Sequence, residues 1–96
     1  MTKKVKAKIN KLARMAGQCE KLFNEIKSET KNNDASVIGY SVMEGHFRLH
    51  INNGIKELGV PVTRVERNSK DFPYEDVAML DGMEVFQLLS QGEVSA

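Results

Sequence analysis

Two histidines, His46 and His50, are the residues whose type and spacing come closest to a metal site. If the segment between them were helical, both imidazoles would share one face and could bind one ion. Alternating apolar and polar residues predict a strand there instead, and on a strand four residues span about 13 Å. That separation is too large for one ion coordinated at about 2 Å. We therefore expect no metal and no other cofactor.

Cys19 is the only cysteine and the only candidate thiol nucleophile. A reactive thiolate needs a depressed pKa and a neighbouring base. Cys19 instead falls on a stripe of apolar residues, where a cysteine is expected to pack as a small buried side chain. The sequence therefore predicts no nucleophilic role for this thiol.

A group of acidic residues in the last third offers oxygen ligands of the kind that divalent cations prefer, although carboxylates beside turns are ordinarily solvated. No glycine-rich phosphate loop, paired-cysteine pattern, HExxH or GxSxG motif accompanies them. We therefore expect no catalytic residues and no enzymatic activity. The acidic residues are Asp71, Glu75, Asp76, Asp81 and Glu84.

Length and composition predict one globular domain. The chain has 96 residues, of which 41% are hydrophobic and 28% are charged. No apolar run approaches the roughly 20 residues that cross a bilayer, and the basic N-terminus lacks the apolar stretch of a secretory signal. A single cysteine cannot form an internal disulfide, so we expect a reducing, cytoplasmic location and no membrane association.

Charge is distributed unevenly along the chain. Nine basic and three acidic residues through Lys31 give a net charge of +6, whereas five basic and ten acidic residues from Asn32 onward give −5. A basic arm indicates an anionic partner such as a nucleic acid, contacts between subunits, or simply a solvated helix face. The candidate nucleic-acid or partner-binding residues are Lys3, Lys4, Lys8, Lys11, Arg14 and, on the predicted sheet, Arg48.

The first third is predicted to form one long amphipathic helix from about Lys3 to Thr30, which contains no proline and a single glycine. Apolar residues recur in the heptad pattern of a helix that packs its seam against a second helix. A helix of this length spans roughly 40 Å. The stripe, widened by Met15 and Leu22, consists of Val5, Ile9, Leu12, Ala16, Cys19, Phe23 and Ile26.

Such a helix is longer than a body of about 65 residues, with a radius of gyration near 11 Å, can cover. A coiled-coil homodimer would cover the first apolar residues, whereas the alternative is a helix that lies wholly across its own sheet. We expect a dimerisation helix over residues 1–30 and a small body over residues 31–96. The predicted dimer interface is Val5, Ile9, Leu12, Ala16, Cys19 and Phe23.

A hairpin is predicted to follow a polar break over residues 30–36. Strands Val37–Met43 and His46–Asn52 flank Glu44-Gly45, where glycine supplies a positive φ. Both strands alternate so that their apolar residues share one face, which supports a single register. That register pairs Val42 with Phe47, Tyr40 with Leu49, and Ile38 with Ile51; on the other face it pairs Ser41 with Arg48 and Gly39 with His50.

The remaining sequence predicts a helical turn ending at Gly59, a third strand over Val60–Arg67, and a second hairpin around Asp81-Gly82. Because the apolar residues of this hairpin do not segregate to one face, a helix through Val77, Leu80 and Leu88 is its alternative. The last six residues are expected to be frayed. The predicted class is α+β, with a long N-terminal helix and a small antiparallel sheet of about five strands.

The last third carries Arg67 before a polar loop, then Pro73-Tyr74-Glu75, Asp81-Gly82, and Phe86 before Leu88-Leu89. These features resemble a segment of small phage and prophage accessory proteins of Gram-positive bacteria. The resemblance implies a strand, a loop and a hairpin, together with a phage-encoded origin, and it implies no reaction.

Two functional hypotheses follow. The first is a non-catalytic protein-interaction factor of phage or mobile-element type, a homodimer that binds a host or phage protein. The second is a nucleic-acid-binding protein that uses the basic first helix, since each phosphate contact adds salt-dependent affinity. An acidic body and the lack of an aromatic stacking pair on the polar sheet face weigh against the second hypothesis.

Overall fold

The computed structural model describes residues 1–30, 36–43 and 45–95 and confirms the α+β class. The predicted polar break falls mainly on residues 31–35 and the first turn includes Glu44, which lie outside the described residues. The elements are α1 (Lys3–Thr30), β1 (Val37–Met43), β2 (His46–Ile51), a 3₁₀ turn (Ile55–Leu58), β3 (Thr63–Glu66), β4 (Tyr74–Leu80), β5 (Met83–Leu89) and α2 (Gln91–Ser95).

Helix α1 has the bounds that its sequence pattern predicts. It begins beside Thr2, whose hydroxyl oxygen accepts a hydrogen bond from the Val5 amide at 3.1 Å, as an N-cap residue does. At the other end, the Thr30 hydroxyl donates to the Ile26 carbonyl oxygen at 2.7 Å. None of its 28 residues is buried. Helix α1 therefore forms without contributing a fully buried side chain to the core.

The five strands form one sheet in the order β1-β2-β5-β4-β3. Three neighbouring pairs are antiparallel, as predicted, but β2 and β5 are parallel, so the expectation of a wholly antiparallel sheet is wrong at this pairing. A parallel pair requires a crossover connection. The 3₁₀ turn, β3 and β4 provide that crossover before the chain returns as β5 beside β2.

The first hairpin has the predicted register over most of its length. Val42 pairs with Phe47 and Tyr40 with Leu49, and the predicted pairs on the other face also form. The predicted pairing of Ile38 with Ile51 is wrong, because the register shifts between Val37 and Gly39. Val37 therefore takes the buried place opposite Ile51, and Ile38 is exposed.

The second hairpin forms, and the alternative helix through this segment is wrong. Asp81 and Gly82 both have positive φ, 47° and 83°, as the central residues of a type I′ turn do. In β5, Val85 points to one face and Phe86 to the other, which explains why the apolar residues do not segregate. Strand β3 is shorter than predicted and begins two residues after Pro61.

The expectation of a frayed C-terminus is wrong for residues 91–95, which form α2. Ser90 caps it: the Ser90 hydroxyl oxygen accepts from the Glu93 amide at 3.3 Å, and the Glu93 carboxylate accepts from the Ser90 amide at 3.0 Å. This reciprocal pair is a capping box. Hydrogen bonds from the Ser90 backbone amide and from the Ser90 side chain to the Glu93 carboxylate hold the pKa of Glu93 below its ordinary value.

The core lies beneath the 3₁₀ turn and not beneath α1. Ile55 of the turn packs on Ala78 and Val85 of the central strands, and none of the three is more than 2% exposed. The Ile55 amide donates to the buried Gln87 side chain at 3.2 Å. Beside this cluster, Arg64 holds the buried Asp76 carboxylate with two hydrogen bonds of 2.9 and 3.1 Å. The buried cluster of the central strands and the turn therefore forms without a residue of α1.

Candidate functional site

The sheet has two faces of different chemistry. Because side chains alternate along each strand, the register places Leu49 and Val85 on one face and Arg48 and Glu84 on the other. We call the side that carries α1 and the 3₁₀ turn the helix face, and the opposite side the charged face. Each face offers a different kind of candidate site.

The helix face contains an apolar groove between the second half of α1 and the sheet. Its volume is about 360 Å³, and its lining is apolar apart from the Gln18 amide and the Tyr40 hydroxyl. We call this space the apolar groove. It is lined by Met15, Gln18, Cys19, Leu22, Phe23 and Ile26 from α1 and by Tyr40, Phe47, Leu49 and Met83 from the sheet.

Aromatic contacts hold the second half of α1 against the edge of the sheet. The Phe23 ring meets Tyr40 edge-on with centroids 4.9 Å apart, and Tyr40 is stacked parallel to Phe47 at 5.7 Å. Such pairs add about 0.5–1.5 kcal/mol each beyond the burial of their surface. Helix α1 contacts chiefly β1, and residues of β2 and β5 complete the lining of the groove.

The first half of α1 has no such support. Every residue from Met1 to Gln18 is exposed, including Val5, Ile9 and Leu12, the last of which is 66% exposed. Of the predicted dimer interface, the structure therefore brings Cys19 and Phe23 to the apolar groove. The other four members lie exposed on α1: Val5, Ile9, Leu12 and Ala16.

The candidate nucleic-acid residues are divided between two places. The five on α1 all belong to its exposed first half, whereas Arg48 lies on the charged face, on the other side of the sheet. Arg48 is also engaged within the chain: its guanidinium donates to Glu84 and to Glu75. The structure thus groups Lys3, Lys4, Lys8, Lys11 and Arg14 and separates them from Arg48.

On the charged face, Arg48 is the centre of an ion-pair network that the sequence interpretation missed. Its guanidinium lies 4.0 Å from the centroid of the Phe86 ring, a cation–π arrangement. His46 contacts the Glu84 carboxylate at 2.9 Å, and Arg67 contacts Glu75 at 3.6 Å. The parallel β2–β5 pairing sets Arg48 beside Glu84, so no local sequence signal indicates this network.

Two pKa values on the charged face are displaced. Burial raises the pKa of Glu84, but hydrogen bonds from His46 and Arg48 outweigh it, so the pKa lies below the ordinary value. Burial lowers the pKa of His50, and the nearby cations Arg48 and Arg67 lower it further, against a smaller opposing effect of Glu75. The His50 ring is stacked on Phe86 at 4.5 Å. These surroundings favour the neutral form of His50.

The residues considered for catalysis or metal binding have other surroundings. Glu75, Asp76 and Glu84 lie in ion pairs with arginine, and Asp81 lies in the second turn. Within residues 1–30, 36–43 and 45–95, no three His, Cys, Asp or Glu side chains are grouped so that they could hold a metal ion. No helix among these described residues has the length and hydropathy needed to cross a membrane.

Comparison with protein-family models, curated proteins and solved structures finds no match to this chain. Of the two faces, the helix face is the stronger candidate for a binding surface. It combines an open apolar groove with an apolar helix stripe that extends past the sheet. Surfaces of this kind bind protein segments through apolar burial.

Proposed function

We propose that this protein is a non-catalytic protein-interaction factor that acts as a homodimer through α1. One observation carries the proposal: a 28-residue amphipathic helix has no buried residue and exposes an apolar stripe along its length. Apolar surface in water costs about 25 cal/mol per Å² relative to burial. A second copy offers the same stripe, so pairing removes both from water.

The shape of the molecule supports this proposal. Its principal extents are 56 × 30 × 24 Å, and α1 alone spans about 42 Å. The sheet supports the part of α1 that lines the groove, and the first half extends past it. A helix segment without tertiary contacts is marginally stable in water, since most helical stability in proteins comes from packing an amphipathic face. A partner helix would supply that packing.

Within the same proposal, the dimer binds a host or phage protein in the cytoplasm. The resemblance of the last third to phage accessory proteins supports a phage-encoded origin. The single cysteine is consistent with a reducing compartment. The body from Asn32 onward has a net charge of −5, which favours a basic partner surface. Repeated pull-downs from a Gram-positive lysate that enrich no protein would count against the proposed host or phage protein partner.

A charge-insertion pair tests the helix as the dimer surface. Ile9→Glu with Leu12→Glu places two carboxylates in the stripe, and we expect a folded monomer by light scattering and circular dichroism. The matched control, Asn10→Glu with Asn24→Glu, adds the same charge to the polar side of α1 and is expected to remain dimeric. A stripe variant that stays dimeric places the interface elsewhere, and one that unfolds places these residues in the monomer's own fold.

Nucleic-acid binding is the second candidate function. It is favoured by six cations that precede any acid in α1 and that form no ion pair within the described part of the chain. Retention of DNA or RNA at low salt, lost steeply at physiological salt, would support it. Lys4→Gln with Lys8→Gln and Lys11→Gln should then reduce the salt dependence, whereas Arg48→Gln should not.

A further inference from the structure

We propose that the two α1 helices of the dimer lie antiparallel, with the first half of each helix seated along the apolar groove of the other copy. This inference rests on the proposed homodimer and adds to it the orientation of the helices and the occupant of the groove. Three features of α1 carry it: its charge distribution, its exposed surface and the spacing of its apolar residues.

The charge distribution of α1 disfavours parallel pairing. From Met1 to Arg14 the chain has six basic side chains and no acidic one, whereas Glu20, Glu25 and Glu29 all lie in the second half, with two lysines. The halves therefore carry +6 and −1. Parallel helices, whose packed axes lie about 8–10 Å apart, would set two +6 segments side by side, and these segments would repel each other, more strongly at low salt. Antiparallel helices set each +6 segment against a half that carries all three acids.

The exposed surface favours the same arrangement. The second half of α1 already rests on its own sheet through Phe23, whereas the first half is exposed on every side. The first half can enter the partner's groove because nothing of its own chain packs against it. The second half would bring its own sheet along, which would hinder its entry. The lengths also agree, since Lys3–Arg14 and the groove-lining stretch from Met15 to Ile26 each span about 18 Å. The first half of one α1 therefore fits the groove of the other in length.

The apolar positions align in this orientation. An antiparallel alignment that sets Val5 level with Ile26 also sets Ile9 level with Leu22 and Leu12 level with Cys19. All but Cys19 are among the large apolar side chains exposed on α1. The two-fold axis then passes between residues 15 and 16. In this alignment Val5, Ile9 and Leu12 each meet an apolar residue that lines the partner's groove.

Because Cys19 is the only cysteine, disulfide formation reports the orientation directly. We expect Leu12→Cys, mildly oxidised and run on a non-reducing gel, to migrate mostly as a covalent dimer, joined by disulfides between the introduced thiol and Cys19 of the other copy. A disulfide requires Cα atoms within about 7 Å. The wild-type protein should remain uncross-linked, since two Cys19 residues would lie about 10 Å apart along antiparallel axes.

The double variant Leu12→Cys with Cys19→Ala is the matched control and should not cross-link, although it carries a cysteine at the same place. Cross-linking of the wild type and of this control, with a dimeric mass by light scattering, would show parallel helices and overturn the orientation while leaving the homodimer. A dimeric mass without a cross-link in any variant would overturn helix pairing itself. A monomeric mass for the wild type would overturn both proposals.

Discussion

The two faces of the sheet differ in whether residues of the same chain pair their charges and cover their apolar surface. On the charged face, Arg48 pairs with Glu75 and Glu84 and covers Phe86, and His50 stacks on the same ring. Within the described residues, no buried side-chain nitrogen or oxygen lacks a hydrogen-bond partner. On the helix face, the 3₁₀ turn covers the core, but the apolar groove beside α1 stays open.

This difference indicates where a partner would bind. A face whose charges are already paired gains little from a partner, because new contacts must replace existing hydrogen bonds. An open apolar groove gains from any matching surface that removes it from water. Stability of the monomer is therefore expected to depend on the turn-covered core and the charged face, and association on α1 and the groove.

The largest effect on the folding of the monomer should come from the core beneath the 3₁₀ turn. Ile55→Ala removes a side chain that is 2% exposed, and we expect a loss of about 2–4 kcal/mol in the free energy of unfolding, measured by denaturant titration. Ile38→Ala, the same substitution at a site that is 52% exposed, should cost about 1 kcal/mol or less. Equal losses would show that the core does not lie beneath the turn.

A smaller loss is expected on the charged face. Arg48→Met keeps the aliphatic stem but leaves the Glu75 and Glu84 carboxylates without their shared cation, and should lower the free energy of unfolding by about 1–3 kcal/mol. Arg14→Met, which removes an exposed arginine from α1, should have little effect. If Arg48→Met left stability unchanged but abolished binding of a nucleic acid, Arg48 would belong to a binding surface.

The smallest expected effect is a pH dependence from His50. Because its pKa lies below the usual 6.5 in the folded chain, the unfolded chain binds the proton more readily. The contribution of neutral His50 to the free energy of unfolding should therefore be fully present above 6.5, the ordinary pKa that applies to the unfolded chain. It should be lost as the pH falls below that value. His50→Phe keeps an aromatic ring on Phe86 and should flatten the change between about pH 7.5 and 5.5. An unchanged slope in this variant would assign the dependence to another group.

Local signals in the sequence predict most of the elements. The bounds of α1 follow from heptad spacing and from the polar break that begins at Thr30, and the second hairpin follows from Asp81-Gly82. Helix α2 was missed although Ser90 and Glu93 form a capping box, a signal readable in the sequence. These features depend on neighbours within a few residues, which is the range over which sequence patterns are informative.

The features that could not be predicted depend on distant contacts. The β2–β5 pairing joins segments separated by three other elements, and the Arg48 network exists only because that pairing sets Arg48 beside Glu84. The groove likewise needs the angle at which Phe23 meets Tyr40. The apolar stripe on α1 could therefore be predicted from the sequence, but the apolar groove between α1 and the sheet could not.

The most direct test of the central claim is the molar mass of the wild-type protein in solution, measured by light scattering across a range of protein concentrations and at two salt concentrations. A self-associating α1 predicts a mass of about 22 kDa, twice the 10.8 kDa of the chain, at both salt concentrations. A mass near 10.8 kDa at every concentration would contradict the claim, and would leave the stripe and groove as a surface for a different partner.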